Sequence, residues 1–178
     1  VVRRFASEGV NFYLAHFNVK EIEDFAKDVA IRNNVQAIPV VFDAVKYSTH
    51  INFYNKLAPK PDGAICIFGY LGDNKKGMED FNEAEHIFDV NFKGAVSMLN
   101  VIASDFMKKK SGWIAAISSV AGDRGRQSNF LYGSAKAALT TYLSGLRNLL
   151  CNHGVQVLTI KPGFVNTKMT RGMDLPKK

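Results

Sequence analysis

The sequence predicts an α/β fold in which helices cover both faces of a parallel sheet. Short apolar runs, such as residues 63–68 and 112–118, alternate along the chain with segments whose apolar residues recur at helical spacing. The 178 residues are 47% hydrophobic, which suits one domain with a sizeable core. We therefore expect a single domain over residues 1–178.

The individual elements follow from apolar runs and from the glycines and prolines that end them. Gly9 and Gly154 mark helix ends, and Pro162-Gly163 closes the last apolar run. The predicted elements are the end of a helix at 1–9, a strand at 11–15, a helix at 19–33, a strand at 36–42, a short helix at 47–57, a strand at 63–68, a long helix at 79–110, a strand at 112–118, a helix from Tyr132 to about 151 and a strand at 155–160.

One asparagine lies on the apolar face of the predicted long helix. Asn91 shares this face with five apolar residues, which are Ala84, Phe88, Ala95, Met98 and Ile102. A buried side-chain amide must find hydrogen-bond partners, because leaving it unpaired costs a few kcal/mol. Asn91 is therefore either a satisfied core asparagine or a functional residue.

A serine, a tyrosine and a lysine form the strongest chemical pattern. Tyr132 and Lys136 are four residues apart, so a helix presents both on one face. A phenol has a pKa near 10, and a nearby ammonium lowers that pKa toward the range of a useful acid or base. Ser119 follows the preceding strand, where its hydroxyl can polarise a substrate oxygen. The three groups fit hydride-transfer chemistry.

This pattern resembles the signature of the short-chain dehydrogenase/reductase family, and the resemblance extends from residue 1 to about residue 173. It implies a Rossmann-type doubly wound parallel sheet in three layers, α/β/α. It also implies an NAD(P)-dependent oxidoreductase that transfers a hydride between nicotinamide and a carbonyl/alcohol substrate. By the resemblance, Tyr132 is the general acid/base, Lys136 lowers its pKa and binds the nicotinamide ribose, and Ser119 orients the substrate. Asn91 then supports a proton relay.

The resemblance also assigns cofactor contacts. Gly69 ends the segment Cys66-Ile67-Phe68-Gly69, where the family has Asn-Asn-Ala-Gly. The other implied contacts are Asp43 and Ala44 at the adenine, and Pro162, Gly163, Val165 and Thr167 at the nicotinamide amide and pyrophosphate. On the residues alone, Asp43 is equally a turn aspartate and Thr167 a helix cap. His16-Phe17-Asn18 offers neither the acidic residue of NAD sites nor the arginine of NADP sites, so the choice stays open.

The loop between Ser119 and Tyr132 is polar and carries two arginines. Because it must border the reacting carbon, we expect Arg124 or Arg126 to contact a polar, anionic substrate. Several segments resemble a narrower subgroup that includes decaprenylphosphoryl-2-keto-ribose reductase, which suggests a keto-sugar. The alternative is that both arginines lie on a solvated surface. Alternative functions are a catalytically silent dinucleotide-binding regulator and a sugar epimerase or dehydratase with bound NAD.

Composition limits the remaining classes of partner. The formal net charge of +7 comes without a nucleic-acid-binding motif, and no apolar run approaches the ~20 residues of a membrane span. Cys66 and Cys151 have no metal-ligand spacing, so we expect two buried thiols, no metal and a reducing, cytoplasmic location. The resemblance implies a homodimer or homotetramer.

The first residues read as the end of a helix, whereas a doubly wound fold begins with a strand and a Gly-rich turn. We therefore expect the natural protein to carry such a strand and loop before residue 1. We likewise expect a further strand after the terminal segment MDLPKK.

Overall fold

The computed structural model of the chain describes residues 1–170. The described chain divides into two compact units, the first being Val1–Asp43 and the second beginning at Ala44. Each unit has its own parallel sheet. The expected end of the family resemblance, near residue 173, and the segment MDLPKK lie outside the described residues.

The first unit is a βαβ arrangement preceded by a short helix. Its elements are α1 (Val2–Ala6), β1 (Phe12–His16), α2 (Lys20–Asn33) and β2 (Ala37–Val41). Strands β1 and β2 pair in parallel, with Phe12 opposite Ala37 and His16 opposite Val41. The α2 residues Ala26 and Val29 are buried, as the helical spacing of the sequence predicts.

The second unit contains a three-stranded parallel sheet in the order β3-β4-β5. These strands are β3 (Gly63–Cys66), β4 (Trp113–Ile117) and β5 (Gln156–Ile160). The central strand β4 buries Ile114, Ala115 and Ala116. Because the strands are parallel, their carboxyl ends lie at one edge of this sheet, and the loops that carry Gly69, Ser119 and Pro162 all leave from that edge.

Up to residue 170, the second unit also contains five α-helices and shorter turns. The α-helices are α3 (His50–Lys56), α4 (Asn74–Glu79), α5 (Phe81–Phe88), α6 (Gly94–Lys109) and α7 (Phe130–Cys151). A π-helical turn (Asp89–Lys93) joins α5 to α6, and 3₁₀ turns occupy Tyr47–Thr49, Val120–Gly122 and Lys168–Thr170. Among the described helices, none is long and apolar enough to cross a membrane.

The predicted long helix at 79–110 is correct over most of its length but wrong at its start. The helical path begins at Phe81, because Asp80 has an extended backbone and its side chain accepts a hydrogen bond from the Asn82 N–H. Helix α4, which the sequence did not predict, precedes it. Asp73 begins α4 by accepting hydrogen bonds from the N–H groups of Lys75 and Lys76.

The expectation of two buried thiols is half correct. Cys66 is buried at the end of β3, whereas Cys151 is exposed. Cys151 is the last residue of α7, and its neighbour Leu150 occupies the buried side of that helix. An apolar residue type at a helix end therefore does not by itself establish burial.

Two helical glycines test how tightly this unit is packed. A β-carbon on Gly94 would clash with the carbonyl oxygen of Ala44, whereas one on Gly145 would meet no atom within 4 Å. We expect Gly94→Ala to lower the free energy of unfolding by about 1–3 kcal/mol, because backbone must move to admit the methyl group.

The matched control Gly145→Ala is expected to raise that free energy by roughly 0.5–1 kcal/mol through helix propensity. Thermal and denaturant unfolding of both variants measure the difference. Equal effects at the two positions would contradict the close approach at Gly94.

Candidate active site

Asn91 lies in the π-helical turn between α5 and α6, and it is 1% exposed. In this turn the Gly94 N–H donates to the Asp89 carbonyl, five residues back, rather than four as in an α-helix. The wider turn changes the direction of the backbone at Asn91. Turns of this kind occur often at functional sites.

The Asn91 side chain holds the loop that follows β3. Its Oδ1 accepts a hydrogen bond from the Tyr70 N–H at 3.2 Å, and its Nδ2 donates to the Tyr70 carbonyl at 2.5 Å and to the Ile87 carbonyl at 2.8 Å. The amide therefore has the partners that burial requires. The contact explains its position on an apolar face, and its role in a proton relay stays a prediction.

Functional groups from several segments of the chain lie around Gly69. A β-carbon on Gly69 would lie 3.0 Å from Asn91 Oδ1, 3.6 Å from Lys136 Nζ and 3.7 Å from Met169 Cε. The amide of Asn91 and the ammonium of Lys136 therefore face the same small space. Met169 brings the segment after β5 to this space as well.

Lys136 is buried, and hydrogen bonds hold both its side-chain ammonium and its backbone carbonyl. It is 2% exposed, and its Nζ donates to the Ile117 carbonyl at 3.0 Å. Its own carbonyl accepts hydrogen bonds from Ser118 Oγ at 3.0 Å and Thr140 Oγ1 at 2.9 Å. Burial lowers the pKa of Lys136. These contacts place a desolvated ammonium at the carboxyl end of β4.

Tyr132 is half-buried one helical turn before Lys136, whose Nζ lies 5.6 Å from the centre of the phenol ring. Burial raises the pKa of Tyr132, and a hydrogen bond with the Ser119 side chain opposes this rise. The sequence predicted a lowered pKa, but the structure differs because desolvation outweighs the stabilising contacts. The phenol is therefore protonated at neutral pH.

Ser119 begins the 3₁₀ turn after β4, and its Oγ accepts a hydrogen bond from the Ala121 N–H at 3.1 Å. The preceding residue, Ser118, is buried and contacts Lys136 instead. Ser118 is thus packed against α7, whereas the Ser119 side chain lowers the pKa of Tyr132. The role of Ser119 at the substrate oxygen stays a prediction.

Cys66 occupies the position where the family carries an asparagine, and it lies close enough to Lys136 to interact electrostatically. Burial raises the pKa of the Cys66 thiol to about 12, and Lys136 opposes the rise. The thiol is therefore neutral at physiological pH. A neutral Cys66 leaves the charge of Lys136 uncompensated by this neighbour.

The loops after β4 and β5 are joined beside Ser119. The Val120 N–H donates to the Pro162 carbonyl at 3.2 Å, and Asp123 forms an ion pair with Lys161. Arg124 and Arg126 are exposed on the same loop. The structure therefore brings the Pro162 turn to the site, and it leaves the two arginines at the surface beside it.

The remaining implied cofactor residues lie in different places. Val165 and Thr167 are exposed in the segment after Gly163, where Thr170 Oγ1 donates to the Val165 carbonyl and accepts from the Thr167 N–H. Thr167 thus does not use its own hydroxyl in this pair of contacts. Ala44 packs its carbonyl against Gly94, while Asp43 ends the first unit, and its role at the adenine stays a prediction.

Two polar residues near the site were not found from the sequence. Glu83 is 8% exposed, and it accepts hydrogen bonds from Tyr70 Oη and the Asp73 N–H, with Lys76 Nζ at 3.3 Å. Asn74 contacts the start of α7. The sequence could have indicated Glu83, because this residue lies next to Ala84 on the apolar face of α5. No sequence pattern indicated Asn74, because its partner is 57 residues away.

The site offers the protonated phenol of Tyr132, the hydroxyl of Ser119 and the buried ammonium of Lys136. These groups can hold a substrate oxygen, transfer one proton to or from it, and bind neighbouring hydroxyl groups. Among the described residues there is no group of three or more His, Cys, Asp or Glu side chains that could hold a metal ion.

Comparisons with known proteins agree with this arrangement. A sequence model of the short chain dehydrogenase family matches residues 1–177. An uncharacterized oxidoreductase of Mycobacterium tuberculosis is 34% identical over 176 residues, covering 97% of this chain and 70% of the relative.

Solved structures show the fold. An NAD⁺-bound xylitol dehydrogenase aligns with a TM-score of 0.86 at 22% identity, over 93% of this chain and 65% of that one. A short-chain dehydrogenase from Sphingobium yanoikuyae in complex with NADPH aligns with a TM-score of 0.84 at 19% identity, over 94% of this chain and 66% of that one. The predicted Rossmann-type α/β class is confirmed, and the chain spans about two thirds of the length of these proteins.

The opposing influences on Tyr132 lead to a spectroscopic prediction. In Ser119→Ala the hydrogen bond that lowers the phenol pKa is lost, so we expect Tyr132 to ionise at a higher pH than in the unmodified protein. The measurement is tyrosinate absorbance against pH, with the matched Tyr132→Phe titration subtracted. Ser134→Ala, an exposed serine on α7, is the control. A shift to lower pH, or none, would show that the Ser119 hydroxyl does not stabilise the phenolate.

Proposed function

The chain belongs to the short-chain dehydrogenase family, and on that basis we propose that it is an NAD(P)-dependent oxidoreductase that reduces a carbonyl group to an alcohol. The observation that carries this proposal is the buried Lys136 ammonium, which lies 5.6 Å from the ring centre of the half-buried Tyr132, in the arrangement that the sequence pattern predicts. Tyr132 is the general acid/base, and Ser119 orients the substrate oxygen. Because burial raises the pKa of Tyr132, its protonated phenol can donate a proton to a substrate oxygen at neutral pH.

The residues around Gly69 and Gly163 suit a nicotinamide cofactor, which would supply or accept the hydride when bound. The Lys136 ammonium has three N–H donors, and the Ile117 carbonyl accepts one of them. We propose that the others bind the ribose hydroxyls. A β-carbon on Gly163 would meet no atom within 4 Å, so the turn leaves its backbone open to a ligand.

The other proposed cofactor contacts are the positions assigned by resemblance, namely Asp43, Ala44, Gly69, Pro162, Val165 and Thr167. NAD and NADP are both compatible with His16, which bonds locally to the Asn18 backbone. The solved relatives bound to NAD⁺ and to NADPH support both cofactors as candidates.

We further propose a polar, anionic substrate, such as a phosphate-bearing keto-sugar, contacted by Arg124 or Arg126. Asp123, the acidic residue of this loop, is paired with Lys161, so its negative charge does not neutralise the arginines. Both arginines are exposed in the loop between Ser119 and Tyr132. A guanidinium binds phosphate or carboxylate through two parallel hydrogen bonds.

A cytoplasmic location and assembly into homodimers or homotetramers also stay predictions. No observation favours either of the two alternative functions over a reductase. A silent regulator would not need Ser119, Tyr132 and Lys136 together. An epimerase or dehydratase with resident NAD would retain that cofactor through purification, whereas a reductase exchanges it.

Tyr132→Phe is expected to lower kcat by roughly 10²–10⁴-fold, because it removes the proton donor and keeps the packing of the ring. Turnover is followed by oxidation of NADH or NADPH over a panel of keto-sugars and simple ketones. The control is Tyr142→Phe on the same helix, which loses only a hydroxyl contact with Asn100 Oδ1 at 2.8 Å. Comparable turnover in the Tyr132→Phe and unmodified proteins would refute the assignment.

The double change Arg124→Ala, Arg126→Ala is expected to lower kcat/KM for a phosphorylated keto-sugar by about ten-fold or more, since charge-assisted hydrogen bonds contribute roughly 1.5–3 kcal/mol each. The value for a small neutral ketone should change by less than about two-fold. The control is Arg4→Ala, an exposed arginine of α1 that pairs with Glu8. Equal losses on both substrates, or no loss, would show that the two arginines are solvated surface residues that do not contact the substrate.

A further inference from the structure

We propose that Asn74 is a positioning residue for the reaction, because it caps the first turn of the helix that carries Tyr132. This inference rests on the proposed role of Tyr132 as the acid/base. Asn74 Oδ1 accepts a hydrogen bond from the Leu131 N–H at 3.0 Å, and Asn74 Nδ2 lies 3.4 Å from the Gln127 carbonyl. One side chain of α4 therefore contacts both the loop before α7 and the first turn of α7.

The cap is supplied from outside the helix. Asn129 occupies the N-cap position of α7, yet its side chain makes no capping bond there, and its buried Oδ1 has no hydrogen-bond partner within the part of the chain described. A helix ordinarily satisfies the N–H of its second or third residue with the side chain at the N-cap. In this protein Asn74 satisfies the N–H of Leu131, the second residue of α7.

Helix α4 is held firmly enough to act as a cap. A β-carbon on Gly77 would clash with Leu131 Cδ1, so α4 packs directly against the first turn of α7. The start of α4 is held by Glu83, a buried carboxylate that accepts from the Asp73 N–H at 3.0 Å. Asp73 in turn accepts from the first free N–H groups of α4. These contacts fix Asp73, the residue before Asn74, and therefore the direction of the Asn74 side chain.

The cap should act on Tyr132 and leave Lys136 unaffected. Tyr132 is the third residue of α7, within the turn that loosens when a cap is lost. Lys136 lies one turn further along, is 2% exposed, and has its own contacts with Ile117 and Ser118. Loss of the cap should therefore displace the phenol while the lysine stays in place. The expected signature is a lower kcat with unchanged cofactor affinity.

The experiment compares Asn74→Ala with Asn74→Asp in the whole protein. Asn74→Ala removes the acceptor, and we expect exchange of the Leu131 amide hydrogen to become at least about five-fold faster. We expect kcat to fall by roughly ten-fold, because misplacing a reacting group by about 1 Å can cost 100-fold. The Kd of NADH or NADPH, measured by fluorescence, should stay within about two-fold, since Lys136 is not displaced.

Asn74→Asp keeps an acceptor for the Leu131 N–H and adds a charge that the helix N-terminus favours, so it should restore slow exchange and most of kcat. Asn82→Ala is the matched control, because its exposed side chain bonds within its own turn to Asp80 Oδ1 at 2.8 Å. In a Tyr132→Phe background, Asn74→Ala should lower the residual kcat no further, since Asn74 acts through the phenol.

Three results would overturn the inference. These are unchanged Leu131 exchange in Asn74→Ala, faster exchange with kcat still within two-fold, and additive losses in the Tyr132→Phe background. Failure of the proposed function has a different signature, which is near-normal turnover in Tyr132→Phe alone. Cofactor affinity that falls in parallel with kcat in Asn74→Ala would also count against the inference, because it would indicate general disruption of the site.

Discussion

The buried amide of Asn91 is the contact on which the geometry of the site depends. Its hydrogen bonds to both backbone groups of Tyr70 join the loop after β3 to the π-helical turn. An amide at 1% exposure cannot rely on water, so any displacement of this loop leaves polar groups unpaired. This constraint holds Gly69 against Lys136. The π-helical turn and the asparagine are therefore parts of one arrangement.

Desolvation decides the charge states of the remaining groups. Burial raises the pKa of Tyr132 and lowers that of Lys136, so the phenol keeps its proton and the ammonium holds its proton less strongly. Ser119 opposes the rise in the pKa of Tyr132, whereas the neutral thiol of Cys66 leaves the charge of Lys136 uncompensated. The protein thus provides a proton donor at neutral pH.

The buried groups of the site differ in their setting from the two arginines that we propose to contact the substrate. Lys136 and Asn91 are buried and belong to regular helices or turns, whereas Arg124 and Arg126 are exposed on a loop. Buried groups bonded on several sides hold one position, which suits the chemistry common to a family. Exposed loop residues can change without disturbing the fold, which suits the choice of substrate. Helix α4 joins this loop to α7, because Asn74 contacts both.

The sequence by itself determined the order of the strands and of the helices other than α4, and the pairing of Tyr132 with Lys136, because apolar periodicity and a four-residue spacing are local properties of the chain. It also indicated that Asn91 is buried. Only the tertiary structure decided that Asn91 bonds Tyr70, 21 residues away, that Asn74 contacts Leu131, 57 residues away, and that burial outweighs stabilisation at Tyr132. Such outcomes depend on which segments meet and how much water they exclude, and no local pattern records either quantity.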